Sequence, residues 1–124
     1  MNAPPLVLLV EDDEDIRLVV KDVLEGSGYL VELAEGGVQA LARLAEGAAP
    51  VLILIDLMMP VMDGVTLAKK IAALPGEPKP RIVFLTAAAP GPLVADLPHP
   101  VMRKPFDLEA FLEMVGRETG RAGK

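Results

Sequence analysis

The sequence has 124 residues, 52% of them hydrophobic, and a formal net charge of −6, which suits one domain with an aliphatic core. Aromatic residues make up only 3%, and the negative charge repels phosphate backbones, so direct nucleic-acid binding is not expected. The absence of cysteine excludes disulfides, thiol catalysis and zinc-finger sites, and it is compatible with a cytoplasmic location. We expect neither a signal peptide nor membrane insertion, because the N-terminal apolar run stops at acids and no apolar stretch is long enough to cross a bilayer.

Five apolar stretches predict the strands of the fold, at residues 6–10, 29–34, 51–55, 81–86 and 101–103. The first and third are uninterrupted aliphatic runs, which are typical of strands buried on both faces of a parallel sheet. Both runs end in acids: Glu11 and Asp12 follow the first, and Asp56 follows the third.

Apolar residues at helical spacing predict two helices among the first three strands. The first is ended by Gly26, and its predicted buried face comprises Ile16, Val19, Val20, Val23 and Leu24. The second lies at residues 38–45, and its predicted buried face comprises Val38, Leu41, Ala42 and Ala45.

Two further helices are predicted in the second half of the chain. One follows Gly64 and ends at Pro75 and Gly76, and its predicted buried face comprises Leu67, Ala68, Ile71 and Leu74. The last is capped by Asp107, and its predicted buried face comprises Leu108, Phe111, Leu112 and Val115.

The segment between the fourth and fifth strands is rich in proline. Residues 87–100 contain four prolines, which leave room for at most about two helical turns, near residues 93–97. The tail from Gly120 to Lys124 is expected to fray, so residues 5–119 form the predicted core of a single domain spanning residues 1–124.

Regular alternation of strand and helix predicts a parallel sheet with helices on both faces. The carboxyl ends of parallel strands meet at one edge of the sheet, and α/β proteins bind ligands there. We therefore expect one edge to carry the side chains of Glu11, Asp12, Asp56, Thr86 and Lys104.

Carboxylates brought together from two strands repel one another, so the predicted cluster raises some pKa values or binds a cation. Oxygen ligands without histidine or cysteine favour magnesium, manganese or calcium over zinc. Lys104 and Thr86 add a positive charge and a hydroxyl, which completes a set suited to phosphoryl transfer onto Asp56. Each residue alone also has a simpler interpretation: Asp56 as the start of a turn, Lys104 as a solvated lysine, Thr86 as a strand residue and residues 11–15 as a solvated acidic run.

Four short motifs at these strand ends resemble those of the receiver domain of two-component response regulators. They are VED at residues 10–12, DLMMPVMDG at 56–64, LTA at 85–87 and KPF at 104–106. The resemblance covers nearly the whole chain. It implies a flavodoxin-like, doubly wound (βα)5 three-layer sandwich whose five-stranded parallel sheet has the order 2-1-3-4-5, here with a shortened or irregular fourth helix.

The resemblance also implies a role for each residue of the site. Asp56 would accept a phosphoryl group from a phosphohistidine on a histidine kinase or histidine phosphotransfer protein, and Thr86 and Lys104 would contact that group. Mg²⁺, with Mn²⁺ as the alternative, would be held by Asp12, Asp56 and the backbone carbonyl of Met58, with Glu11 acting through a water. The Lys104–Pro105 peptide bond would be cis, and Asp13 would begin the first helix. Such a protein is not an enzyme beyond its own phosphorylation and dephosphorylation, and it signals to a downstream protein.

The sequence departs from the family in two ways. Val101 stands where the family usually has Tyr or Phe, so an aromatic rotamer switch is not expected, and the 87–100 segment is short. We therefore expect activation to move Thr86 and residues 87–92 only locally. Met58 and Ala88, which would flank the phosphoryl group, cannot orient a water, so slow self-dephosphorylation is expected.

Two other functions are open to this sequence. A phosphohydrolase of the haloacid dehalogenase type also uses an Asp nucleophile with magnesium, but it needs a second Asp where this chain has Met58. A receiver-like module could instead signal without phosphorylation. The sequence names neither the kinase, the target, the stimulus nor the oligomeric state, and it leaves open whether the chain is a stand-alone regulator or a piece of a longer protein.

Overall fold

The computed structural model describes residues 4–87 and 97–120. The strands are β1 Leu6–Val10, β2 Leu30–Ala34, β3 Leu52–Asp56, β4 Arg81–Thr86 and β5 Val101–Arg103. The described helices are α1 Glu14–Gly26, α2 Gly37–Ala45, α3 Gly64–Ala72 and α4 Leu108–Thr119. Helix α4 is the last of the predicted helices, the one capped by Asp107. The short helix predicted near residues 93–97 and the frayed tail predicted beyond Gly120 fall largely outside the described residues.

All strand pairs are parallel, and the sheet order is β2-β1-β3-β4-β5, which confirms the predicted fold class. The register keeps the carboxyl ends of neighbouring strands level. Val10 lies opposite Ile55, Asp56 opposite Leu85, and Thr86 opposite Arg103. The residues that follow these positions therefore emerge side by side at one edge.

The sheet separates two hydrophobic clusters, because successive side chains of a strand point to opposite faces. On one face, Leu8, Ile53 and Phe84 belong to a cluster that includes residues of α2 and α3. On the other face, Leu9, Leu54 and Val83 belong to a cluster that includes residues of α1 and α4. The three central strands are thus covered on both sides, as the uninterrupted apolar sequences of β1 and β3 predicted for those two strands.

Helix α1 begins as predicted and buries most of its predicted face, with Val19 as the exception. The Asp13 side chain accepts a hydrogen bond of 3.0 Å from the Ile16 amide, which confirms Asp13 as the N-cap. Val19, predicted to be buried, is 61% exposed. Val20 and Leu24 are buried as predicted, and Ile16 and Val23 are partly buried against the same core. Arg17, three residues before Val20, is buried as well.

Helix α2 presents a face one residue away from the predicted one. Val38 is 58% exposed, and Ala42 and Ala45 are exposed as well, whereas Gly37 and Ala40 are buried. Gly37 lies close to Met62, since an added Cβ would be 2.6 Å from the Met62 sulfur. A larger residue at position 37 would require the Met62 side chain to shift.

Three boundaries in the rest of the chain differ from the prediction. The third strand starts at Leu52, leaving Val51 42% exposed, and it includes Asp56. Helix α3 ends at Ala72, so Leu74 lies beyond it and is 37% exposed. Helix α4 has the predicted Asp107 cap, with a 2.9 Å hydrogen bond from the Ala110 amide, but Leu108 in its first turn, predicted to be buried, is 54% exposed.

None of the helices described here combines the length and the apolar character needed to span a membrane.

Candidate functional site

The candidate site lies at the carboxyl edge of the sheet and is held by backbone hydrogen bonds between neighbouring chain segments. The Leu57 amide donates to the Leu85 carbonyl at 2.9 Å, and the Lys104 amide donates to the Thr86 carbonyl at 2.7 Å. On the other side, the Glu11 amide donates to the Ala34 carbonyl at 3.1 Å. The strand ladders thus continue one residue past each strand end, so the site residues begin from fixed backbone positions.

Lys104 lies between two buried acids that come from different strands. Its ammonium donates a hydrogen bond to Glu11 Oε1 at 2.8 Å and lies 3.6 Å from Asp56 Oδ2. Glu11 is 1% exposed and Asp56 is 6% exposed. This lysine is therefore an integral part of the acidic cluster, and its interpretation as a solvated surface lysine is wrong.

Three carboxylates meet at the same place. Glu11, Asp12 and Asp56 each offer an oxygen atom, and these atoms all lie within 4.8 Å of one another. Asp12 is exposed, so the cluster opens to solvent, whereas the other two acids close its base. An all-oxygen group open to water fits a hard divalent cation such as Mg²⁺, which keeps several waters beside one or two carboxylates.

The electrostatics reflect this crowding of charge. Burial raises the pKa of Glu11, hydrogen bonding and charge repulsion with Asp56 raise it further, and the Lys104 ammonium opposes both effects. Burial by itself would lower the pKa of Lys104, but the hydrogen bond to Glu11 and the negative charges of Asp56 and Glu11 outweigh it, so the pKa is raised. The lysine stays positively charged and partly neutralises the two buried acids.

The loop after Asp56 places the carboxylate. The Met58 amide donates to Asp56 Oδ1 at 3.0 Å, which fixes the rotation of the carboxylate group. Further along, Asp63 caps α3 by accepting from the Thr66 amide at 2.8 Å. At Gly64 an added Cβ would lie 2.9 Å from the Asp56 carbonyl oxygen and 3.0 Å from Leu57 Cα. The Asp-Gly pair at the end of the DLMMPVMDG motif therefore lets α3 begin directly against the strand that carries Asp56.

The remaining predicted site residues lie at the same edge. Thr86 is the last residue of β4, is 2% exposed, and follows Leu85, the register partner of Asp56. The Met58 side chain is 67% exposed beside the site. The Lys104–Pro105 peptide bond is cis, as the resemblance implied. Ala88 lies outside the described residues.

One residue of this region was not anticipated from the sequence. Arg17 is 8% exposed, and its guanidinium donates to the carbonyl oxygens of Glu11 and Asp12. A signal was available, because Arg17 precedes Val20 by three residues and Leu24 by seven and thus shares their helical face. A polar residue on an otherwise apolar face is a mark of a specific partner.

A lysine and an acidic cluster at the carboxyl edge of a doubly wound parallel sheet define a class of α/β proteins that bind charged ligands at this edge. Comparison with known families identifies the class, since residues 7–115 match the family model described as the response regulator receiver domain. The chain belongs to this family, whose members are signalling proteins that bind Mg²⁺ in an acidic pocket.

Individual relatives agree with this assignment. The chain is 38% identical over 113 residues to the response regulator receiver protein CpdR of Brucella abortus, covering 88% of this chain and 92% of CpdR. It is 31% identical over 116 residues to the chemotaxis protein CheY of Bacillus subtilis, covering 90% of this chain and 94% of CheY. It is also 31% identical over 121 residues to the C4-dicarboxylate transport transcriptional regulatory protein DctD of Rhizobium meliloti, covering 94% of this chain but only 26% of DctD.

Solved structures share the fold. The chemotaxis response regulator CheY4 of Vibrio cholerae superposes with a TM-score of 0.81 at 30% identity, covering 93% of this chain and 98% of CheY4. The CheY-like response regulator receiver domain protein of Methanospirillum hungatei superposes with a TM-score of 0.83 at 27% identity, covering 94% of each chain.

Proposed function

We propose that this chain is a phosphoacceptor: Asp56 receives a phosphoryl group from a phosphohistidine, and the phosphorylated form signals to a protein target. The observation that carries the proposal is the Lys104 ammonium, which lies 2.8 Å from Glu11 and 3.6 Å from Asp56 beside three clustered carboxylates. Burying the charges of Glu11 and Asp56 costs stability, which favours a functional reason for keeping them together. Membership of the receiver family supports phosphoryl chemistry as that purpose.

In the proposed reaction, an Asp56 carboxylate oxygen attacks the phosphorus atom of the phosphohistidine. The P–O bond forms, the P–N bond breaks, and the imidazole leaves with the electron pair and takes a proton. The Met58 amide already holds Oδ1 at 3.0 Å and so leaves Oδ2, near Lys104, as the attacking atom. Lys104 and the Thr86 hydroxyl are the proposed donors to the phosphoryl oxygens.

The residues present also fit a magnesium ion. Asp12, Asp56 and the Met58 carbonyl are the proposed ligands, Glu11 acts through a water, and Mn²⁺ is the alternative ion. Bound there, the ion would neutralise charge that develops on the phosphoryl oxygens. The chain's own contribution is to orient the acceptor carboxylate and to keep Lys104 protonated beside it.

The proposed phosphoryl donor is a histidine kinase or a histidine phosphotransfer protein, and the proposed compartment is the cytoplasm. Response regulator relatives support a kinase partner. The downstream target is a protein in this proposal. The low aromatic content and the net charge of −6 argue against direct nucleic-acid binding by these residues.

The test is incubation with acetyl phosphate and Mg²⁺, read by intact-mass spectrometry, beside an Asp56→Asn control. The proposal expects one phosphoryl group on the wild type and none on the control. Rapid release of inorganic phosphate from many equivalents of substrate, with no phosphorylated protein accumulating, would instead favour a phosphohydrolase. Absence of labelling by acetyl phosphate, together with absence of beryllofluoride binding, would favour an interaction module that works without phosphorylation.

A further inference from the structure

Arg17 is a buried charged residue whose partners are main-chain atoms of the acidic loop. Its Nη1 atom donates to the Glu11 carbonyl at 2.9 Å and to the Asp12 carbonyl at 3.4 Å. Its other terminal nitrogen, Nη2, lies 3.8 Å from Glu35 Oε2, on a side chain that is 71% exposed. An ion pair with so exposed an acid contributes little, so the two carbonyl contacts are the substantial partners of the guanidinium.

The two carbonyls belong to the peptide units on either side of the Asp12 Cα atom. Holding both peptide units limits the rotation of the backbone at Asp12 and so fixes the direction of its Cα–Cβ bond. The Glu11 amide is fixed as well, by its 3.1 Å hydrogen bond to Ala34, and Asp13 is fixed as the cap of α1. Arg17 thus completes the fixation of the turn whose acids, buried Glu11 and exposed Asp12, supply two of the three clustered carboxylates.

We propose that Arg17 is a positioning residue for the magnesium site, which it serves by holding the Glu11 and Asp12 carbonyls so that the two side chains face Asp56. This inference rests on the proposed function. Metal sites depend on such outer contacts, whose loss typically weakens metal binding by about 10–100-fold.

Two simpler roles for Arg17 give different results. If the guanidinium acted only through its charge, its removal would take a cation away from the site, and Mg²⁺ would bind more tightly. If it only stabilised the fold, its removal would lower the unfolding midpoint, while the folded protein would bind Mg²⁺ as before. Of the three roles, only positioning predicts that Arg17 variants remain folded and bind Mg²⁺ more weakly.

The experiment is a titration of the whole chain with Mg²⁺ by calorimetry, for the wild type, Arg17→Met, Arg17→Lys and the control Glu35→Gln. Arg17→Met keeps an unbranched side chain of high helix propensity. Arg17→Lys keeps the charge but lacks the planar fork of the guanidinium. Glu35→Gln removes the ion pair and leaves both carbonyl contacts. Circular dichroism before each titration verifies the fold.

We expect both Arg17 variants to bind Mg²⁺ about tenfold more weakly than the wild type, and Glu35→Gln to bind within about twofold of it. Unchanged or tighter binding by the folded Arg17 variants would overturn the inference. Loss of the fold in both variants would make Arg17 a structural residue and would overturn it too. A wild type that fails to bind Mg²⁺ would instead count against the proposed function itself.

Discussion

At the scale of single residues, the site depends on one lysine that holds two buried acids together. Glu11 and Asp56 are nearly inaccessible to water, and their repulsion is offset by the ammonium between them. The pKa of Glu11 is raised because burial and the neighbouring Asp56 both disfavour the charged form of its carboxyl group. Lys104 therefore contributes to stability as well as to the proposed chemistry.

Replacing Lys104 with methionine removes that cation and keeps most of the side-chain volume. We expect Lys104→Met to lower the free energy of unfolding in Mg²⁺-free buffer by about 1–3 kcal/mol, because a buried carboxylate loses its charged partner. Urea denaturation measures this. Mg²⁺ should raise the unfolding midpoint of the variant more than that of the wild type, since the ion supplies the missing positive charge. The exposed neighbour Arg103, replaced in the same way, provides the matched control and should show almost no change.

A prediction concerns Met58 and the lifetime of the proposed phosphorylated form. Its side chain is exposed beside Asp56, and a thioether cannot orient a water toward a phosphoryl group. We expect Met58→Asn to accelerate loss of the phosphoryl group by about tenfold, because an amide can position the attacking water. The decay is followed by intact mass after removal of acetyl phosphate.

Met58→Leu is the matched control, since leucine is apolar and of similar size. It should leave the decay rate within about twofold of the wild type. Equal rates for the Asn and Leu variants would contradict a role for this position in water access.

At the scale of elements, the start of α3 is determined by contact with the strand that carries Asp56. Gly64 has no room for a methyl group, because two of the three nearest atoms belong to the backbone of Asp56 and Leu57 and cannot rotate away. We expect Gly64→Ala to lower the free energy of unfolding by about 1–3 kcal/mol and to weaken Mg²⁺ binding by displacing Asp56. Chemical denaturation and calorimetry measure the two effects.

Gly26, at the end of α1, is the matched control, since an added Cβ there meets nothing within 4 Å. Gly26→Ala should be neutral or stabilising by up to about 1 kcal/mol, because alanine loses less conformational entropy on folding. Comparable destabilisation by both substitutions would mean that the close approach at Gly64 is unimportant.

The same elements indicate how far sequence can predict this fold. The strands were placed almost residue by residue, because runs such as Leu6–Val10 are apolar throughout and are bounded by acids or turn residues. The helix faces were placed less well. In α2, the hydrophobic pattern predicts that Val38 is buried. The structure buries Gly37 instead, which is small enough to lie against Met62. Such close approaches depend on tertiary packing and are not encoded in a periodic pattern.

The site itself could be predicted because its residues follow strand ends. The carboxyl ends of parallel strands meet at one edge of the sheet. The order of the strands therefore predicts that Glu11, Asp12, Asp56 and Lys104 lie close together. Arg17 was missed for the opposite reason. It reaches the site from a helix, and its place on the buried face of that helix indicates a specific partner without showing that the partners are main-chain carbonyls of the acidic loop.

At the scale of the whole molecule, the structure predicts which residues change conformation on activation. Val101 pairs with Phe84 across β4 and β5 and offers no aromatic ring that could turn inward. We expect Mg²⁺ and beryllofluoride to change amide chemical shifts mainly at the site, at Thr86 and at residues 87–92, most of which lie outside the described residues. Large shifts throughout residues 93–97 and β5 would contradict a local response. Asp56→Asn under the same conditions gives the baseline.

The central claim is that the Asp56 carboxylate is phosphorylated to an acyl phosphate with the help of Mg²⁺. The most direct measurement is mass-spectrometric mapping of the phosphoryl group after incubation with acetyl phosphate, with Mg²⁺ present or removed by a chelator. We predict one phosphoryl group, located on Asp56, when Mg²⁺ is present, and almost no labelling when the chelator removes Mg²⁺. A phosphoryl group on another residue, or labelling that persists unchanged in Asp56→Asn, would contradict it.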